Sequence, residues 1–243
     1  MEIELKENER IDDLEYKGLK IIQNKNWFCF GMDSIILANF AKEENKGSKI
    51  LDLGTGTGII AILLSKKIEK SRITAIEIQK DVAEMAQRSI KLNDLEESIE
   101  IINEDIKKIG QAKYDIVITN PPYKKKDTGI VNENSIKMIS RHEITASLED
   151  FVRVASEQLK DYGTFYMINR PERIIDIFEY LRKYKLEPKE IQFIYPKRNK
   201  APNGVLVKAV KYGGKFLKVG EPLIIYNDDG TYTDKILEIY EKN

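Results

Sequence analysis

The run Leu51-Asp-Leu-Gly54-Thr-Gly56-Thr-Gly58-Ile-Ile60 constrains the fold more than any other part of the chain. It leaves an apolar stretch, Lys49–Leu53, that reads as a buried strand, and enters Gly58–Ile68, which reads as a helix. Glycine at alternate positions permits positive φ and lets main-chain N–H groups approach a ligand without Cβ obstruction. The alternation then continues. Arg72–Ile76 predicts a second strand, and Asp81 caps a predicted helix running to about Leu95. Ser98–Ile102 and Tyr114–Thr119 are further strands, followed by a helix near Leu148–Lys160, a strand at Thr164–Ile168 and a helix at Glu172–Tyr184. Glu190–Tyr195 and Val205–Val210 close the series with only a turn region between them.

Strands separated by single helices imply a parallel sheet with right-handed crossovers, and two adjacent strands without a helix imply an antiparallel edge. The expected fold is therefore α/β and Rossmann-like: a doubly wound, mostly parallel sheet of about seven strands with an antiparallel edge strand. A chain of 243 residues, 42% hydrophobic and 33% charged, suits one domain of this kind. Residues 49–243 are assigned to it, and residues 1–48 to an extension over the active-site side. Within the extension, residues 31–42 read as a helix with Asp33 or Ser34 near its start. The weakly periodic, polar region 123–145 reads as a long functional loop.

Forty basic residues cancel forty acidic ones, which excludes a chain-wide basic character but not a local nucleic-acid surface. Residues 182–218 carry eleven bases against Glu187 and Glu190. One cysteine, Cys29, and one histidine, His142, cannot build a Cys/His zinc site or an iron–sulfur cluster, so no metal is expected. The charged amino terminus lacks the pattern of a signal peptide, and no apolar run reaches the roughly 18 residues that span a bilayer. A soluble, cytoplasmic protein without a membrane partner is expected.

The glycine loop opens a helix, where phosphate- or nucleotide-like ligands bind. Glu77, at the end of the next strand, is placed to accept hydrogen bonds from ribose hydroxyls. Asp105, after the third strand, is either an acceptor for an adenine amine or a helix cap. These features leave a dinucleotide and S-adenosylmethionine equally open. The fourth strand ends in Asn120-Pro121-Pro122-Tyr123, and its two prolines stiffen the turn and remove two N–H donors. An amine on an aromatic ring or carbonyl is a poor nucleophile because its lone pair is delocalised. Acceptors on its two N–H bonds, the Asn120 side-chain oxygen and the Pro121 carbonyl, draw the nitrogen towards tetrahedral geometry and free the lone pair for attack on a sulfonium methyl. Tyr123 supplies a face on which an unpaired base stacks.

These motifs resemble the class I S-adenosylmethionine-dependent methyltransferases of the Asn-Pro-Pro-Tyr type, over roughly residues 49–210. The resemblance implies that Gly54, Gly56 and Gly58 wrap the methionine part of the cofactor, that Glu77 holds the ribose and that Asp105 lies near the adenine. Asp52, Thr55, Ile78, Ile106 and Asn120 complete the cofactor set, while Asn120, Pro121, Pro122 and Tyr123 form the catalytic set. A narrower similarity, carried by Leu19–Gln23, Phe28–Ala38, Ser140–Glu143 and Tyr195–Arg198, is to bacterial tRNA (adenine-N6)-methyltransferases, which modify the adenine beside the anticodon of a valine tRNA. It implies a tRNA substrate, with Lys124, Lys125, Lys126, Arg141, Lys197, Arg198 and Lys200 on its phosphates and no obligate protein partner. Guanine-N2 methylation of ribosomal RNA and N5 methylation of a protein glutamine are the alternatives. His142 is not needed by this chemistry, and Cys29 reads as packing.

Overall fold

The computed structural model describes residues 4–27, 31–41, 45–122 and 146–241. Its centre is a nine-stranded sheet. The strands are β3 (Lys49–Leu53), β4 (Arg72–Glu77), β5 (Ile99–Asn103), β6 (Tyr114–Thr119), β7 (Leu159–Asn169), β8 (Leu186–Tyr195), β9 (Gly204–Lys211), β10 (Lys218–Val219) and β11 (Leu223–Ile224). A separate hairpin, β1 (Glu9–Asp13) and β2 (Lys20–Asn24), precedes them. The helices are α1 (Met32–Phe40), α2 (Ile59–Lys67), α3 (Lys80–Leu92), α4 (Leu148–Gln158), α5 (Ile174–Lys183) and α6 (Asp234–Ile239).

Across the sheet the order is β10, β8, β9, β7, β6, β3, β4, β5, with β11 also on the outer edge of β8. Strands β3 to β7 are mutually parallel, and only β9 opposes them, between β7 and β8. The antiparallel edge anticipated from the sequence is present. The two additional strands are two-residue segments laid beside β8.

Alternation along the strands splits the apolar side chains between two layers. Ile116, Ile118, Tyr166 and Ile168 face α1, α2, α3 and α6, whereas Val117, Phe165 and Met167 face α4 and α5. The hairpin lies on α3: the Ile22 N–H donates to Ser89 Oγ at 3.0 Å, and Asn93 exchanges two hydrogen bonds with the Lys20 backbone. Arg88 of α3 clasps the Glu9 carboxylate through both terminal nitrogens, at 2.7 and 2.5 Å.

Two local expectations need correction. Asp81 does not cap α3: Gln79 holds that position, and Asp81 sits in the first turn, where its charge favours the helix amino end. Strand β7 starts at Leu159 directly after α4, five residues before the expected Thr164. It is interrupted by Tyr162, at φ 62°, and by Gly163, where a Cβ would lie 2.9 Å from the Lys160 carbonyl, so only glycine fits. Several of the eleven bases of 182–218 are engaged within the fold. Arg182 pairs with Glu187, Lys183 with Glu149 and Lys218 with Glu190. Lys211 is buried and donates to the Ser156 and Leu159 carbonyls at the α4–β7 junction. Lys197, Arg198 and Lys200 alone of this run occupy the β8–β9 turn, at the carboxyl end of β7 and beside Arg170, whose guanidinium donates to the Asn203 carbonyl.

Candidate active site

The carboxyl ends of β3, β4, β5 and β6 adjoin one another, and the loops leaving them carry most of the sequence-selected residues. After β3 the chain turns through Gly54 (φ 70°), Gly56 (φ 58°) and Gly58 (φ 86°) into α2, with Gly58 as its N-cap in the left-handed region. A Cβ on Gly56 would meet nothing within 4 Å, so this glycine faces open space; a Cβ on Gly54 would lie 3.3 Å from the Phe151 ring. The first two α2 residues, Ile59 and Ile60, are apolar, and no acid stands in that first turn to occupy its N–H groups.

Two carboxylates hold the loop. Glu77, only 5% exposed at the end of β4, accepts from the Gly56 N–H and the Gln79 N–H, both at 2.9 Å. Burial pushes its carboxyl above the ordinary range, while these backbone donors pull it back. Asp52, fully buried in β3, accepts from Thr55 Oγ1 at 2.6 Å, and its Oδ1 has no partner among the described residues. Burial, opposed by the Thr55 hydroxyl and reinforced by the nearby Glu77 charge, pushes Asp52 up to about 7 from 3.8.

This raised value makes stability pH-dependent. The protonated form of Asp52 favours the native state fully below about 3.8, and that preference is lost as the pH climbs through about 7. The ligand-free protein is therefore expected to melt at progressively lower temperature between about pH 5 and pH 8, and Asp52→Asn to make the decline shallower. Circular-dichroism melts across that range check this; equal slopes in the two proteins would refute it.

Asp105 caps the short 3-10 turn Ile106–Lys108, its Oδ1 accepting from the Lys107 N–H at 2.9 Å. The capping role considered in the sequence is thus present. Ile106 is buried, whereas Ile78 is 44% exposed beside Glu77. Asn120 follows β6, and the preceding Thr119 hydroxyl donates to the Leu53 carbonyl at 2.8 Å, tying the end of β6 to the root of the glycine loop. Asn120 Nδ2 donates to Ser34 Oγ of α1 at 3.2 Å; Pro121 is buried and Pro122 exposed. The asparagine corner and the glycine loop therefore leave neighbouring strands.

A family model described as the methyltransferase small domain matches residues 21–183. The chain belongs to the methyltransferase small domain family. Its donor is S-adenosylmethionine, and the residues fit that group: an open glycine cradle, an unpartnered buried acceptor on Asp52 and a rim carboxylate at Glu77.

Named relatives of this methyltransferase agree in length with it. A tRNA1(Val) (adenine(37)-N6)-methyltransferase of Porphyromonas gingivalis is 29% identical over 204 residues, covering 80% of this chain and 79% of the relative. A protein of the same name from Pedobacter heparinus is 26% identical over 220 residues, covering 90% and 92%. Among solved structures, a predicted O-methyltransferase from Agrobacterium tumefaciens superposes with a TM-score of 0.70 at 24% identity, over 87% of this chain and 96% of its own. TYW2 of M. jannaschii in complex with AdoMet gives 0.59 at 19%, over 86% and 88%. At these identities the structural matches establish the fold.

Tyr123, Lys124, Lys125, Lys126, Arg141, His142 and Cys29 lie outside the described residues. Among the described residues no cluster of three metal-binding side chains occurs, and no helix is long and apolar enough to cross a membrane. Ser34, Asn103 and Thr119 are bonded to the candidate residues or the strand ends that carry them, and the sequence motifs do not single them out. Asn103 Nδ2 donates to the Glu77 and Ile78 carbonyls at 2.8 and 3.0 Å and fixes the loop after β4. The signal that could find two of them is position: Asn103 and Thr119 are polar residues closing parallel strands, where ligands bind in such sheets.

Proposed function

We propose that this methyltransferase places a methyl group on the exocyclic N6 amine of an adenine in tRNA, next to the anticodon. The observation that carries the reading is the Asn120-Pro121-Pro122 corner closing β6 beside the strand that bears the glycine loop. S-adenosylmethionine supplies an electrophilic methyl on a positively charged sulfur. Gly54, Thr55, Gly56 and Gly58 hold its amino-acid part, with Asp52 beneath. Glu77 accepts from the ribose hydroxyls. Ile78, Ile106 and Asp105 take the adenine, the exposed Ile78 offering an apolar surface for the ring.

On the substrate side, Asn120 Oδ1 and the Pro121 carbonyl accept the two N–H bonds of the target amine. Held by these two acceptors, the nitrogen would pyramidalise and its lone pair would take the methyl group, the S–CH3 bond electrons staying with the departing neutral thioether. The alkylated nitrogen is acidic and gives its proton to solvent, so the side chains need only position and polarise. Tyr123 stacks on the base. Lys124, Lys125, Lys126, Arg141, Lys197, Arg198 and Lys200 meet phosphates. For the last three, support comes from their place on a turn at the same end of the sheet as Asn120. The names of the relatives from P. gingivalis and P. heparinus favour adenine in tRNA over the alternatives.

Incubation with labelled S-adenosylmethionine and bulk tRNA, ribosomal RNA or protein, followed by nucleoside and peptide mass analysis, tests the proposal. Label in N6-methyladenosine from tRNA is the expected outcome. Label in N2-methylguanosine from ribosomal RNA, or in glutamine, would replace the adenine reading. Binding of tRNA is expected to weaken steeply with salt, and alanine at Lys197, Arg198 and Lys200 to reduce the slope by roughly 0.7–0.9 for each phosphate no longer neutralised. An unchanged slope would remove this turn from the interface.

A further inference from the structure

Asn103 closes β5 opposite Glu77, its register partner at the end of β4. The last backbone rung between the two strands runs from the Glu104 N–H to the Glu77 carbonyl at 3.2 Å. Beyond it a side chain continues the ladder. Asn103 Nδ2 donates to the Glu77 carbonyl at 2.8 Å and to the Ile78 carbonyl at 3.0 Å. A carbonyl oxygen can only accept, so the nitrogen branch of this amide is the one that must face the pair. The two carbonyls belong to the successive peptide planes on either side of Ile78. Peptide planes are rigid, so holding both to one nitrogen restricts how the Ile78 backbone can turn.

Ile78 stands 44% exposed after β4, and Asp105 and Ile106 follow β5. These are the residues assigned above to the adenine, and they lie on two separate turns. Glu77 also grips the first turn, accepting from the Gln79 N–H. That bond lies within the one turn and leaves its distance from the other unset. Among the described residues, the hydrogen bond that joins Ile78 to β5 is the one from Asn103.

We propose that Asn103 is a positioning residue for the cofactor: it ties Ile78 to the end of β5 and so holds the two turns at the spacing that admits the adenine ring of S-adenosylmethionine. This rests on the reading of Ile78 as an adenine contact. A slot already set to the width of a planar base needs no ordering when the base arrives, and the gain falls on affinity.

Calorimetry on the whole protein with S-adenosylmethionine tests it. Asn103→Ala is expected to raise the dissociation constant about tenfold. The melting temperature is expected to fall by no more than about 4 °C. At saturating cofactor kcat is expected to stay within about twofold of wild type. In ¹H–¹⁵N spectra without ligand, the Ile78 and Gln79 backbone amides are expected to shift. Ile78→Ala is expected to weaken binding by itself, and in that background Asn103→Ala is expected to change the dissociation constant by less than about twofold.

An unchanged dissociation constant in Asn103→Ala, unshifted amides, or the same loss in both backgrounds would overturn the proposal. Should Asn103→Ala unfold, Asn103→Asp keeps the shape and sets acceptors against the two carbonyls, so a loss at least as large is expected. Wild-type affinity in Asn103→Asp would refute the tie. Failure of the underlying reading is separable. Wild-type affinity in Ile78→Ala removes Ile78 from the adenine site and the proposal with it. A weakened Ile78→Ala beside an unaffected Asn103→Ala overturns the part of Asn103 alone.

Discussion

Replacing Asn120 by alanine is expected to lower kcat by at least about 10²–10³-fold. Calorimetry is expected to find S-adenosylmethionine binding within about threefold of wild type. The asymmetry follows from where the side chain sits. Asn120 closes β6 and its amide reaches across to Ser34 of α1, whereas the described contacts of the glycine loop run to Asp52, Glu77 and the β4 backbone. Removing the amide takes away one of the two acceptors proposed to pyramidalise the target nitrogen and leaves the cradle untouched. The main-chain carbonyl of Pro121 survives the substitution, so a residual rate above background is consistent with this mechanism. Turnover at wild-type rate would refute the role assigned to Asn120.

Glu77→Ala is expected to fail in the opposite order. Each hydrogen bond to a charged group contributes about 1.5–3 kcal/mol, and the Glu77 carboxylate accepts two from the backbone before any ligand arrives. Its loss leaves the Gly56 and Gln79 N–H groups without that acceptor and loosens the loop proposed to hold the cofactor. Together with the proposed ribose contact, this predicts a dissociation constant for S-adenosylmethionine raised by about 10²-fold or more. The rate at saturating cofactor is expected to suffer far less than in Asn120→Ala. Calorimetry and saturation kinetics on the same preparation separate the two effects. A dissociation constant indistinguishable from wild type would remove Glu77 from the cofactor site.

Much of this arrangement can be read from residue order, for physical reasons that differ between elements. β3 and β6 have the boundaries expected, because each is largely buried and cut off by backbone chemistry: Gly54 after one, Asn120-Pro121-Pro122 after the other. β8 is harder. Pro188 breaks its pattern, yet the strand begins at Leu186, and a register shift against β9 between Pro188 and Glu190 absorbs the irregularity. The first hairpin leaves almost no trace in the sequence, since Glu9-Arg-Ile-Asp-Asp13 is a poor strand by composition and is held by side chains of α3 some 80 residues distant. Charge misleads in the same way. Eleven bases between 182 and 218 look like one patch, but ion pairs and a buried amine account for several of them, and three stand on the turn beside the site. Within the site, the glycine loop, Glu77 and Asn120 are legible because each marks a strand end with unusual backbone or charge. Ser34 is legible only as the start of a helix, for no local pattern pairs it with the residue just after the fourth strand of the parallel series.

The internal anchorage of Lys211 has a practical corollary. An acylating reagent modifies amines that water can reach, and this one is closed off as long as the helix and strand it bridges stay joined. Its reaction rate consequently reports the opening of the native fold, set against neighbouring surface lysines such as Lys215 that report only the reagent.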